Sequence, residues 1–122
     1  MAQAHQDLTV WQRAMEMTVA VYVLTRVFPR EEVFGLTSQL RRASVSVASN
    51  IAEGRGRLSP GEFKQFLGMA QGSNYEVQTQ LDLSRRLALG ERSSVARAEA
   101  LSVEVGKMLS ALIASLAVKA RS

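Results

Sequence analysis

Five basic residues concentrate in one stretch of the chain and could bind phosphate groups. They are Arg41, Arg42, Arg55, Arg57 and Lys64. The stretch also holds Glu53 and Glu62, so its excess of three positive charges is most of the net charge of +4. Guanidinium groups bind phosphate oxygens in pairs of hydrogen bonds, and such contacts supply most nonspecific nucleic-acid affinity. The cluster therefore predicts an RNA or DNA interface, or else a solvated face on which the arginines pair with carboxylates such as Glu53 and Glu76.

Four polar residues fall among apolar positions of the expected helices. They are Asn50, Glu53, Asn74 and Glu76. We expect all four to be hydrogen-bonded, within one chain or between chains, because an unpaired buried polar group costs about 1–3 kcal/mol. The two carboxylates are expected to meet Arg41 or Arg42, since a carboxylate and a guanidinium can pair through two hydrogen bonds. A general acid and base is the other chemistry open to two carboxylates, but on bundle faces such groups are more often ion-pair partners.

Residue types needed for common catalytic and metal sites are scarce. The chain has no cysteine and one histidine, His5. A di-metal carboxylate bundle needs paired Glu-x-x-His motifs, and a Ser-His-acid triad needs a histidine base, so neither is expected. The segment Gly54-Arg55-Gly56 lacks the spacing of a Walker-type phosphate loop and is interpreted as a helix end and turn. The sequence predicts a protein without enzyme activity, cofactor or metal.

Length and composition indicate one soluble domain. The chain has 122 residues, of which 47% are hydrophobic and 21% charged. Its longest unbroken apolar run, Val19 to Leu24, is too short to span a bilayer, and Asp7 and Glu16 argue against a signal peptide. The absence of cysteine fits a reducing compartment. We therefore expect a cytoplasmic protein that does not associate with membranes.

Apolar residues recur at helical spacing in four segments, about 7–28, 35–53, 60–89 and 94–119. Pro29 limits the first segment, and Gly54 is expected to cap the second. The third begins at Ser59-Pro60-Gly61-Glu62, where Ser59 can accept a hydrogen bond from the Glu62 amide, and Gly90 is expected to close it. The fold class predicted is all-α, an up-down-up-down four-helix bundle in a single domain.

The first helix carries a feature that favours contact with another chain, and the third contains two glycines that would let another backbone come close. The first has two apolar stripes, Leu8, Trp11, Met15, Thr18, Tyr22 and Thr25, and Val10, Ala14, Met17, Val21, Leu24 and Phe28. One stripe normally suffices for a bundle core, so the second favours self-association, with a broad core face in a monomer as the alternative. Gly68 and Gly72 lie inside the third helix, where they lower helix propensity but let another backbone approach closely.

Several motifs occur in an order that is similar to a known family. They are Asp7-Leu8-Thr9-Val10-Trp11-Gln12, Phe34-Gly35-Leu36, Gln39-Leu40-Arg41-Arg42-Ala43, Asn50-Ile51-Ala52-Glu53-Gly54 and Ala70-Gln71-Gly72-Ser73. Together they resemble the four-helix bundle proteins of the 23S rRNA-intervening-sequence family, and the resemblance runs from Asp7 to about Leu116. The chain has Ala48 where the family usually has a proline, so a proline bend in the second helix is not expected.

The resemblance implies a four-helix bundle protomer that assembles into a closed ring of five. It implies no established activity. Relatives are encoded within intervening sequences of 23S rRNA genes, and a distant relative works with a reverse transcriptase and nucleic acid. A pentamer of this chain would carry a charge of about +20. We therefore expect a homo-oligomer that binds RNA or DNA, or alternatively a structural or protein-interaction ring that contacts another protein and no nucleic acid.

Overall fold

The computed structural model describes residues 4–121, which fold into four α-helices. The helices are α1 Thr9–Thr25, α2 Leu36–Arg55, α3 Pro60–Arg86 and α4 Arg92–Arg121. Short 3-10 turns at His5–Asp7 and Arg30–Glu32 precede α1 and α2, and the described residues contain no strand. The predicted all-α class is confirmed.

Each helix packs against two neighbours, α1 against α2 and α4, and α3 against α2 and α4. The connections between helices are short, which requires sequential helices to run antiparallel and gives the up-down arrangement. The largest fully buried side chains come from all four helices: Met17, Leu24, Leu40, Ile51, Leu67, Leu81 and Leu109. By length and composition alone, Arg92–Val118 of α4 could cross a bilayer. In the fold, α4 places Val105 and Leu109 in the bundle core.

The first helix is shorter than predicted at both ends. Asp7 belongs to the preceding 3-10 turn, and Leu8 is extended and acts as the N-cap of α1. At the other end α1 stops at Thr25 rather than Phe28. The prolyl ring of Pro29 disfavours helical geometry in the residue before it, so the chain leaves the helix ahead of the proline.

The prediction that Gly54 caps α2 is wrong, because α2 continues to Arg55 and has Gly56 as its C-cap. Gly54 is buried inside the helix, where a Cβ atom would lie 2.7 Å from the Cβ atom of Phe66. Glycine is therefore needed here for the close approach of α2 and α3. The helix runs without a break through Ala48.

The predicted start of α3 is confirmed, since the Ser59 Oγ accepts a 3.1 Å hydrogen bond from the Glu62 amide. Its predicted closure at Gly90 is wrong. The helix ends at Arg86, and Ala88 adopts a left-handed conformation with φ of +56°. The amides of Ala88 and Leu89 bond to the carbonyls of Arg85 and Ser84 at 3.1 and 2.9 Å. This is a Schellman motif in which alanine takes the position usually held by glycine.

Two ion pairs connect α4 to its neighbours. Arg13 of α1 donates from Nε to Glu104 at 2.9 Å and also pairs with Glu16. The hydrogen bond to Glu104, followed by the charge of Glu16, raises the pKa of the Arg13 guanidinium above its ordinary value. Arg85 of α3 pairs with Glu99, whose hydrogen bond and charge likewise raise the pKa of Arg85. Both pairs are partly exposed to solvent, which screens their charges, so each adds little to stability.

Candidate functional site

The basic residues of the sequence cluster divide into two groups in space. Arg41 and Arg42 precede Arg55 by more than three turns of α2, which places them about 20 Å apart along the helix axis. Arg57 and Lys64 follow in the loop and in the first turns of α3. One group therefore lies near the first half of α2 and the other at the end of the bundle where α2 joins α3.

In the first group, Arg41 is held by α1. Its Nε donates to the Thr25 Oγ1 at 2.9 Å, and its guanidinium lies 4.5 Å from the centre of the Tyr22 ring. Arg42 is exposed and has no ion-pair partner among the described residues. The group thus has one immobilised and one free guanidinium.

In the second group, two arginines stack on phenylalanine rings of α3. The guanidinium of Arg55 lies 5.8 Å from the centre of the Phe63 ring, and that of Arg57 lies 4.7 Å from the Phe66 ring. Arg57 also pairs with Glu53 at 3.0 Å. The Nε of Arg55 is buried and has no hydrogen-bond acceptor within the described chain. We call Arg55, Arg57 and Lys64 the loop-end group.

The loop-end group can supply hydrogen-bond donors to an anion. Arg55 and Arg57 line one concave surface together with Ser59 and Phe63, and none of the described residues that line it is a carboxylate. Lys64 is exposed and has no ion-pair partner among residues 4–118. A guanidinium stacked on an aromatic face keeps its edge donors available, so stacking orients these groups without consuming them.

The four polar residues do not join into one network. Asn74 is fully buried, donates from Nδ2 to the Ser102 carbonyl at 2.9 Å and accepts from the Ser102 Oγ at 2.8 Å. Asn50 bonds to Ser46 of its own helix. Glu53 pairs with Arg57, and Glu76 is exposed without a hydrogen bond in the described chain.

The expected pairing of Glu53 and Glu76 with Arg41 or Arg42 does not form within one chain. Glu53 follows Arg42 by three turns of α2, about 16 Å along the axis, which is beyond the reach of the two side chains. Arg57 follows Glu53 by one turn and takes its place as the partner. Within the described ranges, no group of three His, Cys, Asp or Glu residues is placed to hold a metal ion.

The two stripes of α1 have different surroundings. Val10, Ala14, Met17, Val21 and Leu24 are core residues, whereas Met15 and Tyr22 of the other stripe are exposed. Val19 and Val23 belong to neither predicted stripe, although they follow Met15 at intervals of four residues and are 61% and 46% exposed. Their i, i+4 spacing places them on one face of the helix, and this spacing is the sequence signal that indicates a further apolar face. An apolar face of α1 therefore remains uncovered in the protomer.

Comparison with known proteins identifies the family. The model of the 23S rRNA-intervening sequence protein family matches residues 6–111. A crystal structure of a protein of unknown function from the S23 ribosomal protein family of Bacteroides thetaiotaomicron has a similar fold, with a TM-score of 0.76 at 23% identity. The similarity covers 86% of this chain and 98% of that one. No curated protein sequence matches. The family match spans most of the chain, which therefore belongs to the 23S rRNA-intervening sequence protein family.

Proposed function

We propose that this protein is a non-enzymatic, self-associating bundle that binds RNA or DNA weakly, with little sequence preference, through its loop-end group. The observation that carries the proposal is the placement of Arg55 and Arg57 over the Phe63 and Phe66 rings, where their donors are oriented in advance.

Self-association strengthens this binding. A single loop-end group carries three positive charges, of which one is paired with Glu53, so one protomer attracts nucleic acid weakly. The ring of five that the resemblance implies would repeat the group and carry about +20 in total. Phosphates contacted by several protomers at once would then be bound with the advantage of multivalency.

The test is a titration of the assembled protein with single-stranded RNA and with DNA at several salt concentrations. Each neutralised phosphate steepens the dependence of log affinity on log salt by about 0.7 to 0.9. Arg55→Ala combined with Arg57→Ala should lower both the affinity and the salt slope. Arg85→Ala combined with Arg86→Ala is the matched control, because it removes the same charge at the other end of α3, where both arginines are paired.

The alternative function is a structural or protein-interaction ring that does not bind nucleic acid. Two contacts favour it: Arg41 is held by Thr25 and Tyr22, and Arg57 is paired with Glu53. This function predicts no binding at low salt, or binding that the loop-end substitutions leave unchanged. Either result overturns the nucleic-acid proposal.

Self-association itself is tested by the mass in solution. The uncovered apolar face of α1 supports an oligomer, and an interface of standard size should persist at micromolar concentration. Light scattering should therefore give a mass several times that of the 13.3 kDa protomer, with a pentamer as the expected state. A protomer mass would remove the ring from the proposal.

A further inference from the structure

A groove beside α1 combines exposed apolar side chains with one unpaired positive charge. Met15, Val19 and Val23 of α1 line it on one side, and Ser94 and Arg97 of α4 on the other. Glu16 at its edge is paired with Arg13. Arg97 is exposed and has no ion-pair partner in the described chain. We call this surface the α1 groove.

A second surface has the opposite charge. On α3, the residues Gly72, Tyr75, Glu76, Thr79 and Leu83 line a shallow concavity next to α2. Tyr75 and Leu83 are 58% and 44% exposed. Glu76 is the one charged residue that lines it, and it has no partner among the described residues. We call this surface the α3 face.

Gly68 and Gly72 of α3 have no packing function within the protomer. Around Gly72, and around Gly68 one turn earlier, an added Cβ atom would meet no other atom within 4 Å. Neither residue has a positive φ, so the backbone does not require glycine there. Each glycine inside a helix costs about 1 kcal/mol relative to alanine. An outside partner that packs closely on the helix backbone would account for both.

We infer that the α1 groove of one copy of this chain binds the α3 face of a second copy, with Arg97 of one paired to Glu76 of the other. The charges are complementary, and each would otherwise be left without a partner. The exposed apolar residues extend about 12 Å along the α1 groove, from Met15 to Val23, and about 12 Å along the α3 face, from Tyr75 to Leu83, so the two surfaces match in length.

The contact joins two different surfaces, so every copy that binds through its α1 groove keeps a free α3 face. Such a head-to-tail contact continues from copy to copy until the rotation closes a ring. The inference rests on the self-association part of the proposed function. It names the two surfaces through which the copies bind each other. It is independent of whether the loop-end group binds nucleic acid.

The test is a charge exchange measured by light scattering and sedimentation across a range of protein concentrations. Arg97→Glu should weaken assembly at least tenfold, because it places two carboxylates opposite each other, and Glu76→Arg should do the same with two cations. The variant carrying both changes should recover most of the wild-type assembly. Lys107→Glu and Glu91→Arg are the matched controls, since both positions are exposed and lie outside the two surfaces.

Each result bears on a specific claim. If the wild-type protein is a protomer at micromolar concentration, both self-association and this interface are wrong. If the wild type assembles but the single variants assemble equally well, or the double variant does not recover, this interface is wrong and self-association stands. Circular dichroism shows whether the variants fold. Should a charge variant misfold, Gly72→Leu decides instead: Gly72 is exposed and an added Cβ atom meets no neighbouring side chain within 4 Å in the protomer, so only the contact between copies should be lost.

Discussion

Ala88 carries the one positive φ angle of a non-glycine residue in the described chain, at +56°. A residue with a Cβ atom pays about 1–2 kcal/mol in this conformation, whereas glycine pays about 0.5–1 kcal/mol in extra chain entropy. We predict that Ala88→Gly raises the free energy of unfolding by up to about 1 kcal/mol, measured by urea denaturation. Ala96→Gly, at an exposed position inside α4, should lower it by about 1 kcal/mol. Equal losses in both variants would contradict the strain at Ala88.

At Gly54, in contrast to Ala88, glycine is the residue that stabilises the fold. Its missing side chain lets α2 and α3 approach, and an added Cβ would lie 2.7 Å from the Phe66 Cβ and 3.1 Å from the Phe63 Cδ1. Gly54→Ala should therefore destabilise the protein by about 1–3 kcal/mol. Gly61→Ala, in the first turn of α3 where the nearest such atom is 4.0 Å away, should be neutral or stabilising by up to about 1 kcal/mol. The comparison is made by thermal and urea denaturation, and a neutral Gly54→Ala would show that the helices can move apart freely.

The sequence could predict a helix end where the residues that form it are adjacent in the chain, but not where they contact another helix. The start of α3 could be predicted because its signals are local in the chain: the contacts that begin the helix are made among Ser59, Pro60 and Glu62. Gly54 acts through Phe66, which lies on another helix, and its sequence context resembled an ordinary C-terminal cap. Ala88 gave no signal at all, because alanine is normally a helix residue rather than a residue that ends one.

Between elements, α3 and α4 are joined by a fully buried pair, Asn74 and Ser102, with hydrogen bonds of 2.9 and 2.8 Å. Asn74→Ala and Ser102→Ala should each cost about 1–3 kcal/mol, since each leaves a buried polar group unpaired. The double variant should cost less than the two losses added together. Ser110→Ala, which removes an exposed bond from Gln71 between the same helices, should change stability by less than about 0.5 kcal/mol. Additive losses at Asn74 and Ser102 would contradict their coupling.

Helical periodicity was sufficient to predict four helices and their order, because it depends only on spacing along the chain. The candidate site was less predictable. Arg41 and Arg55 belong to one basic cluster in the sequence. The rise of α2 nevertheless separates them by about 20 Å along the helix axis. Stacking of Arg55 on Phe63 depends on how α2 and α3 pack, and no local pattern encodes it.

The protomer leaves apolar surface uncovered, most of all on α1 and α3. Val19 and Tyr75 are each more than half exposed although they sit among core-forming helices. Contiguous exposed apolar surface on a small bundle is typical of an interface between chains. Under the self-association proposed above, the protomer is one part of a larger assembly, and its stability is expected to depend on its own concentration.

That dependence can be measured. A contact that forms only between folded protomers stabilises them by mass action, so the Tm of the wild-type protein should rise as its concentration is increased about a hundredfold. Arg97→Glu should have a Tm that no longer rises, since its protomers meet with like charges at the α1 groove, while Lys107→Glu should behave as the wild type does. Calorimetry is the measurement. A wild-type Tm independent of concentration would mean that the apolar faces of α1 and α3 are not covered by other copies, because dissociation would then not accompany unfolding.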